Sequence, residues 1–350
     1  MRLLDPATQA DAIELAAQRL VEGGLLALPT ETVYGLGARA DDDAAVARIF
    51  AAKGRPADHP LIVHVANRHA ALHFVSAFPP VAQRLVEAFW PGPLTVIVPR
   101  EPTTAAAAAG GQDTIGLRCP SHPVALRLLE ACAERGVLGV AAPSANRFGR
   151  ISPTRSAHVV DEFAQAGPGL DEVWVLEGGV CDVGIESTIV DCSRGHPVLL
   201  RPGRLTLAEI EAVAGEPVQW SRPEAPDPAA PRASGTLVAH YAPRAKVRLM
   251  GESDLHEALD ALEPQLSGAR QPQVQWVVAV YSRSLWAHRA PHPGVLHRAM
   301  PGDAATAAHD LFADLREMDA HGVGDIWVEL PPADPAWDGV RDRLMRAAAA

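Results

Sequence analysis

The clearest fold signal in the sequence runs from Pro29 to Val65 and reads PTETVYGLGARADDDAAVARIFAAKGRPADHPLIVHV. After three aspartates, apolar residues recur at helical spacing, which predicts an amphipathic helix. Gly54 suits the left-handed end of that helix. The apolar run 61–65 then predicts a buried strand. Since LLAL (25–28) reads as a strand just before it, the stretch predicts a strand–helix–strand unit.

The turn after this helix carries two cations, Lys53 and Arg55, on either side of Gly54. An arginine offers a planar fork for phosphate or carboxylate, and a lysine offers a point charge. Two cations on a stiff turn therefore favour a visiting anion. The alternative is that Lys53 only complements the helix dipole while Arg55 is solvated. The residues alone leave both open.

Composition restricts the class of protein. A length of 350 residues favours two domains, and a net charge of -11 argues against a protein that coats nucleic acid through bulk charge. Its four cysteines lack CxxC spacing, so neither a zinc ribbon nor a disulfide framework is indicated. The N-terminal residues predict an amphipathic helix and not a signal peptide, and no membrane span is expected. We therefore expect a soluble, cytoplasmic protein.

Three segments differ in pattern and suggest a division of the chain. Residues 1–212 mix strands and helices and predict a catalytic domain. Residues 213–243 include SRPEAPDPAAPRASG, whose proline density indicates a semi-rigid linker. Residues 244–350 alternate strands and helices, which predicts a smaller α/β domain with a parallel sheet.

Polar residues also occur at the ends of predicted strands. Thr114 and Arg118 share one face of the strand TIGLR, so Arg118 can clamp a carboxylate or make a weak surface ion pair. Ser144 and Asn146 follow a buried strand, where α/β sheets often bind ligands, although these residues are also common in plain turns. His64 shares a strand face with Ile62, which more often indicates a core histidine than a ligand.

Two further segments and three absent motifs complete the pattern. Ser187 lies in GIEST, an unusually polar insertion in a predicted strand, and Arg201 lies on the stiff turn RPG. Hydroxyls in a buried strand need partners, either a ligand or the neighbouring backbone. There is no GxxxxGK[ST] loop, no GxGxxG after a strand and no GxSxG elbow. If the chain binds ATP, it does so outside the usual nucleotide-binding classes.

The order of the motifs is more specific than any one of them. The series PTETVYGLG, KGRP, PLIVH, WPGPLT, GLRCPSHP, AAPSAN, SPT, GIESTIVD and RPG resembles the Sua5/YrdC/YciO family over about residues 8–212. The segment SGTLVAHYAP and the α/β region after it resemble the Sua5 type. This resemblance implies an α/β fold: a YrdC-like catalytic domain with a twisted mixed sheet, followed by a smaller Rossmann-like Sua5 domain.

The resemblance also implies an activity, that of an L-threonylcarbamoyladenylate synthase. Such a nucleotidyltransferase condenses L-threonine, bicarbonate or CO2, and ATP, with release of pyrophosphate. The implied cofactor is Mg²⁺ that arrives with ATP, and no metal site on the protein is implied. The product feeds a downstream transferase complex that makes the t6A modification of tRNA.

Site residues follow from the matching motifs. The implied threonine pocket consists of Thr32, His64, Arg118, Ala142 (through its backbone) and Ser187. The implied ATP site consists of Arg55, His59, Thr114, Ser144, Asn146, Ser152, Arg201 and Tyr241. Lys53 and Arg55 are the implied catalytic residues, with Lys53 facing phosphates. His59 departs from the family, which often has asparagine there.

Two alternative functions remain at this stage. A carbamoyltransferase that forms carbamoyl adenylate shares the YrdC-like domain, but it carries zinc-finger cysteines that this chain lacks. An RNA-binding or ribosome-assembly module without catalysis needs exposed cations, which the net charge of -11 disfavours. Salt-sensitive tRNA binding without ATP turnover would favour the second alternative.

Overall fold

The computed structural model describes residues 1–164, 173–221, 230–267, 277–285 and 294–350. The chain divides into two compact units. The first comprises Met1–Phe148 and Ser152–Thr236, and the second comprises Gly149–Ile151 and Leu237–Ala350. Among the helices in these described ranges, none is both long and apolar enough to cross a bilayer.

The described part of the first unit forms an 11-stranded sheet in the order β1-β8-β2-β3-β7-β4-β6-β5-β9-β10-β11. The strands are β1 Arg2–Leu4, β2 Leu26–Leu28, β3 Gly35–Arg39, β4 Ile62–His64, β5 Leu94–Pro99, β6 Thr114–Arg118, β7 Val140–Ala141, β8 Trp174–Leu176, β9 Thr188–Asp191, β10 Val198–Arg201 and β11 Gln219–Trp220. Parallel and antiparallel pairs both occur, for example β4 with β6 and β5 with β6. The predicted mixed sheet is confirmed.

Helices pack on this sheet and close two apolar cores. Their bounds are α1 Ala12–Val21, α2 Asp43–Lys53, α3 Arg68–Ala71, α4 Pro80–Phe89, α5 Pro123–Ala133, α6 Ser156–Ala164 and α7 Leu207–Ala214, with a 3-10 turn at Leu72–Phe74. One core gathers α2 and α4 against the central strands, and the other gathers α1 and α5. The cores hold the sheet rigid, so side chains at its strand ends have fixed positions.

The helix predicted in the opening stretch is α2. Asp42 caps its first turn by accepting hydrogen bonds from the backbone N–H groups of Ala44 and Ala45. Gly54 ends it in the left-handed conformation at φ 64°. The buried stripe includes Val46 and Ile49. Both ends of the helix are therefore fixed, and so is the turn that carries the two cations.

Two predicted strands are short in the structure. The buried strand predicted before Ser144 comprises only Val140–Ala141, because the N–H of Val137 donates to the Cys132 carbonyl at the end of α5. The strand predicted around GIEST begins only at Thr188. The residues before it form a loop, since the Ser187 carbonyl accepts from an arginine side chain and not from a neighbouring strand.

The described part of the second unit forms a four-stranded sheet in the order β12-β15-β13-β14, in which every pair is parallel. The strands are β12 Lys246–Met250, β13 Val278–Ser282, β14 Val295–Ala299 and β15 Asp325–Glu329; the described helices are α8 Glu252–Ser267, α9 Ala304–Ala320 and α10 Asp338–Ala348, with a 3-10 turn at Pro335–Trp337. This agrees with the predicted Rossmann-like domain.

The first unit reaches beyond the predicted boundary at residue 212. Helix α7 ends at Ala214, which is buried together with Val218, and β11 pairs with β10. Ala230 and Ala233 pack against a second apolar patch of the same unit. The start of the predicted linker 213–243 is thus part of the core, because the sheet needs its last strand. Residues 222–229 lie outside the described residues, and the division into domains stays a prediction.

Candidate active site

A row of polar side chains crosses five neighbouring strands of the first unit, β4, β6, β5, β9 and β10. His64 pairs in register with Arg118. Val96 pairs with Leu117, which brings Thr95 beside Arg118. The Thr95 hydroxyl lies 2.7 Å from the Ser187 hydroxyl, at the entry to β9. The sheet register therefore brings together polar groups that are far apart in the sequence.

Arg118 is the centre of this row and is 3 % exposed. Its Nη1 donates to the Thr32 hydroxyl at 2.7 Å, and its Nε donates to the Gly92 carbonyl at 3.4 Å. Its Nη2 lies 2.7 Å from a carboxylate oxygen of Glu31. Thr32 and Arg118 were both predicted as threonine ligands, and the fold brings their side chains together. Glu31 was not among the predicted residues.

Arg201 holds the loop before β9. Its Nε and Nη2 donate to the Ser187 carbonyl at 3.1 and 2.9 Å, and its Nη1 donates to the Ser234 carbonyl at 2.8 Å. Gly203 follows in the RPG turn, where an added Cβ would lie 2.5 Å from the Thr188 backbone nitrogen. Only glycine lets this turn approach the GIEST loop so closely.

His64 is a buried, neutral member of the row. Burial and then the neighbouring Arg118 lower the pKa of its imidazole to about 3. The ring therefore stays uncharged at physiological pH. His64 lies beside Arg118. Ala142 lies at the other end of β4, where its N–H donates to the Ile62 carbonyl at 3.0 Å, and Val140 is the residue paired with His64.

Lys53 is 2 % exposed and points at the PSAN loop. Its ammonium donates to the carbonyl of Ser144 at 2.5 Å and to that of Asn146. Burial, and then Arg55, lower its pKa well below the usual value, and Glu162 and Glu186 partly oppose this. In this structure Lys53 holds the loop that carries Ser144 and Asn146. Its predicted contact with phosphates stays a prediction.

The second cation of the turn contacts an aromatic ring and a hydroxyl. Arg55 lies 5.7 Å from the centroid of the Phe148 ring, and its Nη2 lies 3.2 Å from the Ser234 hydroxyl. His59 contacts the same Phe148 ring edge-on at 5.5 Å. Burial and then Arg55 lower the pKa of His59. A neutral ring at this position matches the uncharged asparagine that the family often has.

A hollow lies on one sheet face beside Ser234, whose hydroxyl Arg55 contacts. Its floor is apolar, and a segment after residue 230 covers part of it, with lining residues Pro60, Leu61, Ile62, Thr95, Ile97, Gln112, Thr114, Gly116, Ile189, Arg232, Ala233 and Ser234. Arg232 is held there by an ion pair with Asp58 at 2.6 Å. Thr114 therefore lines the hollow. Ser152 donates to the Glu186 carboxylate elsewhere in the same unit.

Tyr241 is the predicted site residue that belongs to the second unit. It is 1 % exposed and packs against Phe312, with ring centroids 5.4 Å apart. The guanidinium carbon of Arg343 lies 5.5 Å from the centroid of its ring. Tyr241 is therefore a core residue of the second unit, and its predicted ATP contact stays a prediction.

Sequence reasoning missed three residues of this cluster: Glu31, Thr95 and Ser234. A signal existed for two of them. Glu31 lies between the two threonines of PTET, and Thr95 is the one polar residue of the strand LTVIV. Ser234 lies in the proline-rich segment, whose position on the sheet no local pattern indicates.

Comparison with known proteins identifies the family. Residues 18–203 match the Sua5/YciO/YrdC family, whose description is telomere recombination, over more than half of the chain. The chain belongs to the Sua5/YciO/YrdC family. Residues 205–349 match a second family, described as threonylcarbamoyl-AMP synthase, C-terminal domain. The resemblance predicted from the motifs is confirmed, including its Sua5-type second domain.

Two relatives that match this chain over nearly their whole length have the same name. A threonylcarbamoyl-AMP synthase of Pyrococcus abyssi is 38 % identical over 96 % of this chain and 93 % of its own length. One of Bacillus subtilis is 35 % identical over 97 % and 94 %. The structure of P. abyssi Sua5 complexed with L-threonine matches with a TM-score of 0.84 at 34 % identity, over 99 % of this chain and 97 % of that one.

Proposed function

We propose that this chain is an L-threonylcarbamoyl-AMP synthase, an enzyme that joins L-threonine, bicarbonate or CO2, and ATP. The observation that carries the proposal is the buried row of His64, Arg118 and Ser187 beside the cationic turn of Arg55. The row suits a small zwitterion and the turn suits a polyanion. Relatives named threonylcarbamoyl-AMP synthase that match nearly the whole chain support the same activity.

Threonine occupies the end of the row at Arg118. The guanidinium takes the substrate carboxylate as a charge-assisted pair, and the Thr32 hydroxyl shares the guanidinium. Neutral His64 and the Ser187 hydroxyl offer hydrogen bonds without adding charge. The Ala142 backbone, assigned to threonine by family resemblance, lies opposite Ile62 on the strand that carries His64. A pocket of fixed donors discriminates well against amino acids that lack a matching group.

ATP occupies the hollow on the sheet face, where the lining residue Ser234 contacts both Arg55 and Arg201. The apolar floor with Thr114 receives the base and ribose, while Arg55 and Arg201 face the phosphates. Ser144, Asn146 and Ser152 supply short polar contacts from their loops, and His59 lies beside Phe148. Tyr241 is assigned to the nucleotide by family resemblance alone.

The chemistry needs positioning and charge neutralisation more than covalent catalysis. The neutral amine of threonine adds to CO2, and loss of a proton gives a carbamate. A carbamate oxygen then attacks the α-phosphorus of ATP, and pyrophosphate leaves with its electron pair. Orientation of bound reactants can lower such a barrier by about 7–11 kcal/mol. Arg55 and Arg201 neutralise charge that develops on the phosphates, and Lys53 keeps the PSAN loop in place.

Magnesium enters as part of the MgATP substrate. Within the described ranges, no group of three or more His, Cys, Asp or Glu side chains is arranged to hold a metal ion. The Glu186 carboxylate of the first unit already accepts a hydrogen bond from the Ser152 hydroxyl. We therefore assign the ion to phosphate oxygens and water, which is how magnesium is commonly held in nucleotide sites.

The product is a labile mixed anhydride, so an acceptor must use it quickly. We assign this step to a t6A transferase complex acting on tRNA, in the cytoplasm, on the basis of family resemblance. The RNA-binding alternative predicts tight binding of tRNA and no pyrophosphate release. The carbamoyltransferase alternative predicts that carbamoyl phosphate, and not threonine with bicarbonate, supports adenylate formation.

One assay separates these functions. Pyrophosphate release is measured with MgATP alone, with bicarbonate, with L-threonine, and with both. The proposal predicts release only when threonine and bicarbonate are present together. Equal release without threonine would reject it.

A further inference from the structure

Glu31 is a buried carboxylate whose contacts are unusual. It is 4 % exposed, and an oxygen of its carboxylate lies 2.7 Å from Nη2 of Arg118. The N–H groups of Arg118 do not point at that oxygen. Within the described part of the chain, no donor makes a hydrogen bond of good geometry to either carboxylate oxygen. Charge alone, and no hydrogen bond, links Glu31 to Arg118.

Other buried carboxylates of the chain are satisfied differently. Asp191 accepts from the N–H and hydroxyl of Ser193 and from Nε of Arg194. Glu329 accepts five hydrogen bonds, one from Ser282 at the end of β13 and four from Arg283 and Ser284 in the turn that follows. Such carboxylates hold turns together, and their lone pairs are used. Glu31 has unused lone pairs at the centre of the candidate threonine pocket, which is costly unless a ligand fills them.

A substrate carboxylate that reaches Arg118 meets Glu31 at the same arm of the guanidinium. Its Nη1 donates to Thr32 and its Nε donates to Gly92, so Nη2 is the arm that faces Glu31. Among the residues that the structure describes, the N–H groups of Nη2 make no hydrogen bond, so a substrate carboxylate can accept from this arm, and it then lies beside the Glu31 carboxylate. Two buried carboxylates would share one guanidinium, so Glu31 needs a second cation, because an unpaired buried carboxylate is strongly unfavourable.

We propose that Glu31 binds the α-ammonium group of L-threonine, so that substrate binding exchanges one buried ion pair for two. This inference rests on the proposed function. The ammonium and carboxylate of an α-amino acid are separated by a single carbon, so a ligand held by Arg118 presents its nitrogen close to Glu31. Both the ion pair and the zwitterion have zero net charge. The exchange therefore leaves the pocket neutral.

This role makes the pocket selective for zwitterions. A ligand without the ammonium must compete with Glu31 for Arg118, and it supplies no cation to the Glu31 carboxylate. A ligand without the carboxylate leaves Arg118 paired with Glu31, so neither group is released. Glu31 acts on ground-state binding of threonine, and its loss raises KM for threonine more than it lowers kcat.

The test compares three ligands by isothermal titration calorimetry: L-threonine, threoninol, which lacks the carboxylate, and (R)-3-hydroxybutyrate, which lacks the amine. Wild type is compared with Glu31→Gln, and Glu87→Gln serves as a control because Glu87 is an exposed carboxylate paired with Arg68. A charged hydrogen bond contributes about 1.5–3 kcal/mol, so Glu31→Gln is expected to weaken threonine roughly 10- to 150-fold. Binding of 3-hydroxybutyrate is expected to stay equal or become tighter.

The outcomes are separable. If wild type binds no threonine, the proposed function fails. If wild type binds threonine and Glu31→Gln weakens threonine and 3-hydroxybutyrate equally, or weakens neither, the role of Glu31 is refuted. Should Glu31→Gln not fold, Glu31→Asp keeps the charge on a shorter side chain. That variant must lose threonine affinity while it keeps affinity for 3-hydroxybutyrate, and an equal loss of both refutes the role.

Discussion

Replacing Arg118 by alanine separates the stability of the pocket from its use of threonine. The variant leaves the 4 %-exposed Glu31 carboxylate without its cation and the Thr32 hydroxyl without its donor. Removing one partner of a buried ion pair costs about 3–5 kcal/mol of folding free energy. For the substrate, loss of a desolvated charged partner costs about 2–5 kcal/mol, which is roughly a 30- to 5,000-fold rise in KM for threonine. KM for ATP should change little.

The double variant Arg118→Ala/Glu31→Gln distinguishes the two effects. Removing the orphaned charge is expected to recover most of the lost stability in urea unfolding, because a neutral amide is less costly to bury than a carboxylate. Threonine KM should remain high, since the carboxylate ligand is still absent. Steady-state pyrophosphate release at varied threonine, with saturating MgATP and bicarbonate, provides the measurement. An unchanged threonine KM in Arg118→Ala would remove Arg118 from the pocket and contradict the reasoning.

Three further predictions follow from other parts of the first unit. Because burial lowers the pKa of His64 to about 3 from 6.5, the unfolded chain binds a proton that the folded chain does not. The free energy of unfolding contributed by His64 therefore falls by about 1.4 kcal/mol for each pH unit as pH drops from 6.5 toward 3. Urea unfolding of a His64→Gln variant should show a smaller dependence of this free energy on pH than wild type. Equal pH dependence of the two proteins would contradict the prediction. Gly203→Ala should lower the free energy of unfolding by about 1–3 kcal/mol and weaken threonine use, because its Cβ meets the Thr188 nitrogen. Gly302→Ala, where a Cβ meets nothing, is the control and should leave the thermal melting temperature unchanged. Equal effects of the two substitutions would reject the steric argument. A chain that ends at Thr236 should fold, and it should bind ATP more tightly than a chain that ends at residue 212. The shorter chain loses the buried Val218 and the contacts that Ser234 makes with Arg55 and Arg201. Equal ATP affinity of the two chains would show that these contacts are dispensable.

The fold was predictable where sequence patterns are local. Helix α2 has an aspartate cap, a buried stripe and a terminal glycine, all within one stretch, so its bounds could be predicted closely. The short strands could not be, because their ends depend on distant partners. Thr188 begins β9 only because Arg201 holds the preceding peptide, and that contact spans 14 residues.

The site was predictable in its residues and less so in their contacts. Family motifs supplied Thr32, Arg118 and Ser187, and the sheet register brings these side chains into one row. The contacts of Lys53 could not be inferred, because a lysine beside a glycine turn gives no sign that it bonds to carbonyls about 90 residues away in sequence. The contact of Glu31 could not be inferred either, although its place in PTET was a signal, since its partner Arg118 lies on β6, far away in sequence.

The most direct test of the central claim follows the carbon of bicarbonate. The purified chain is incubated with L-threonine, MgATP and ¹³C-bicarbonate, and the products are quenched rapidly and separated for mass spectrometry. We expect an adenylate that contains threonine and one heavy carbon. It should form together with pyrophosphate and be absent when threonine is omitted. An adenylate without the heavy carbon, or pyrophosphate release without any threonine-containing product, would contradict it.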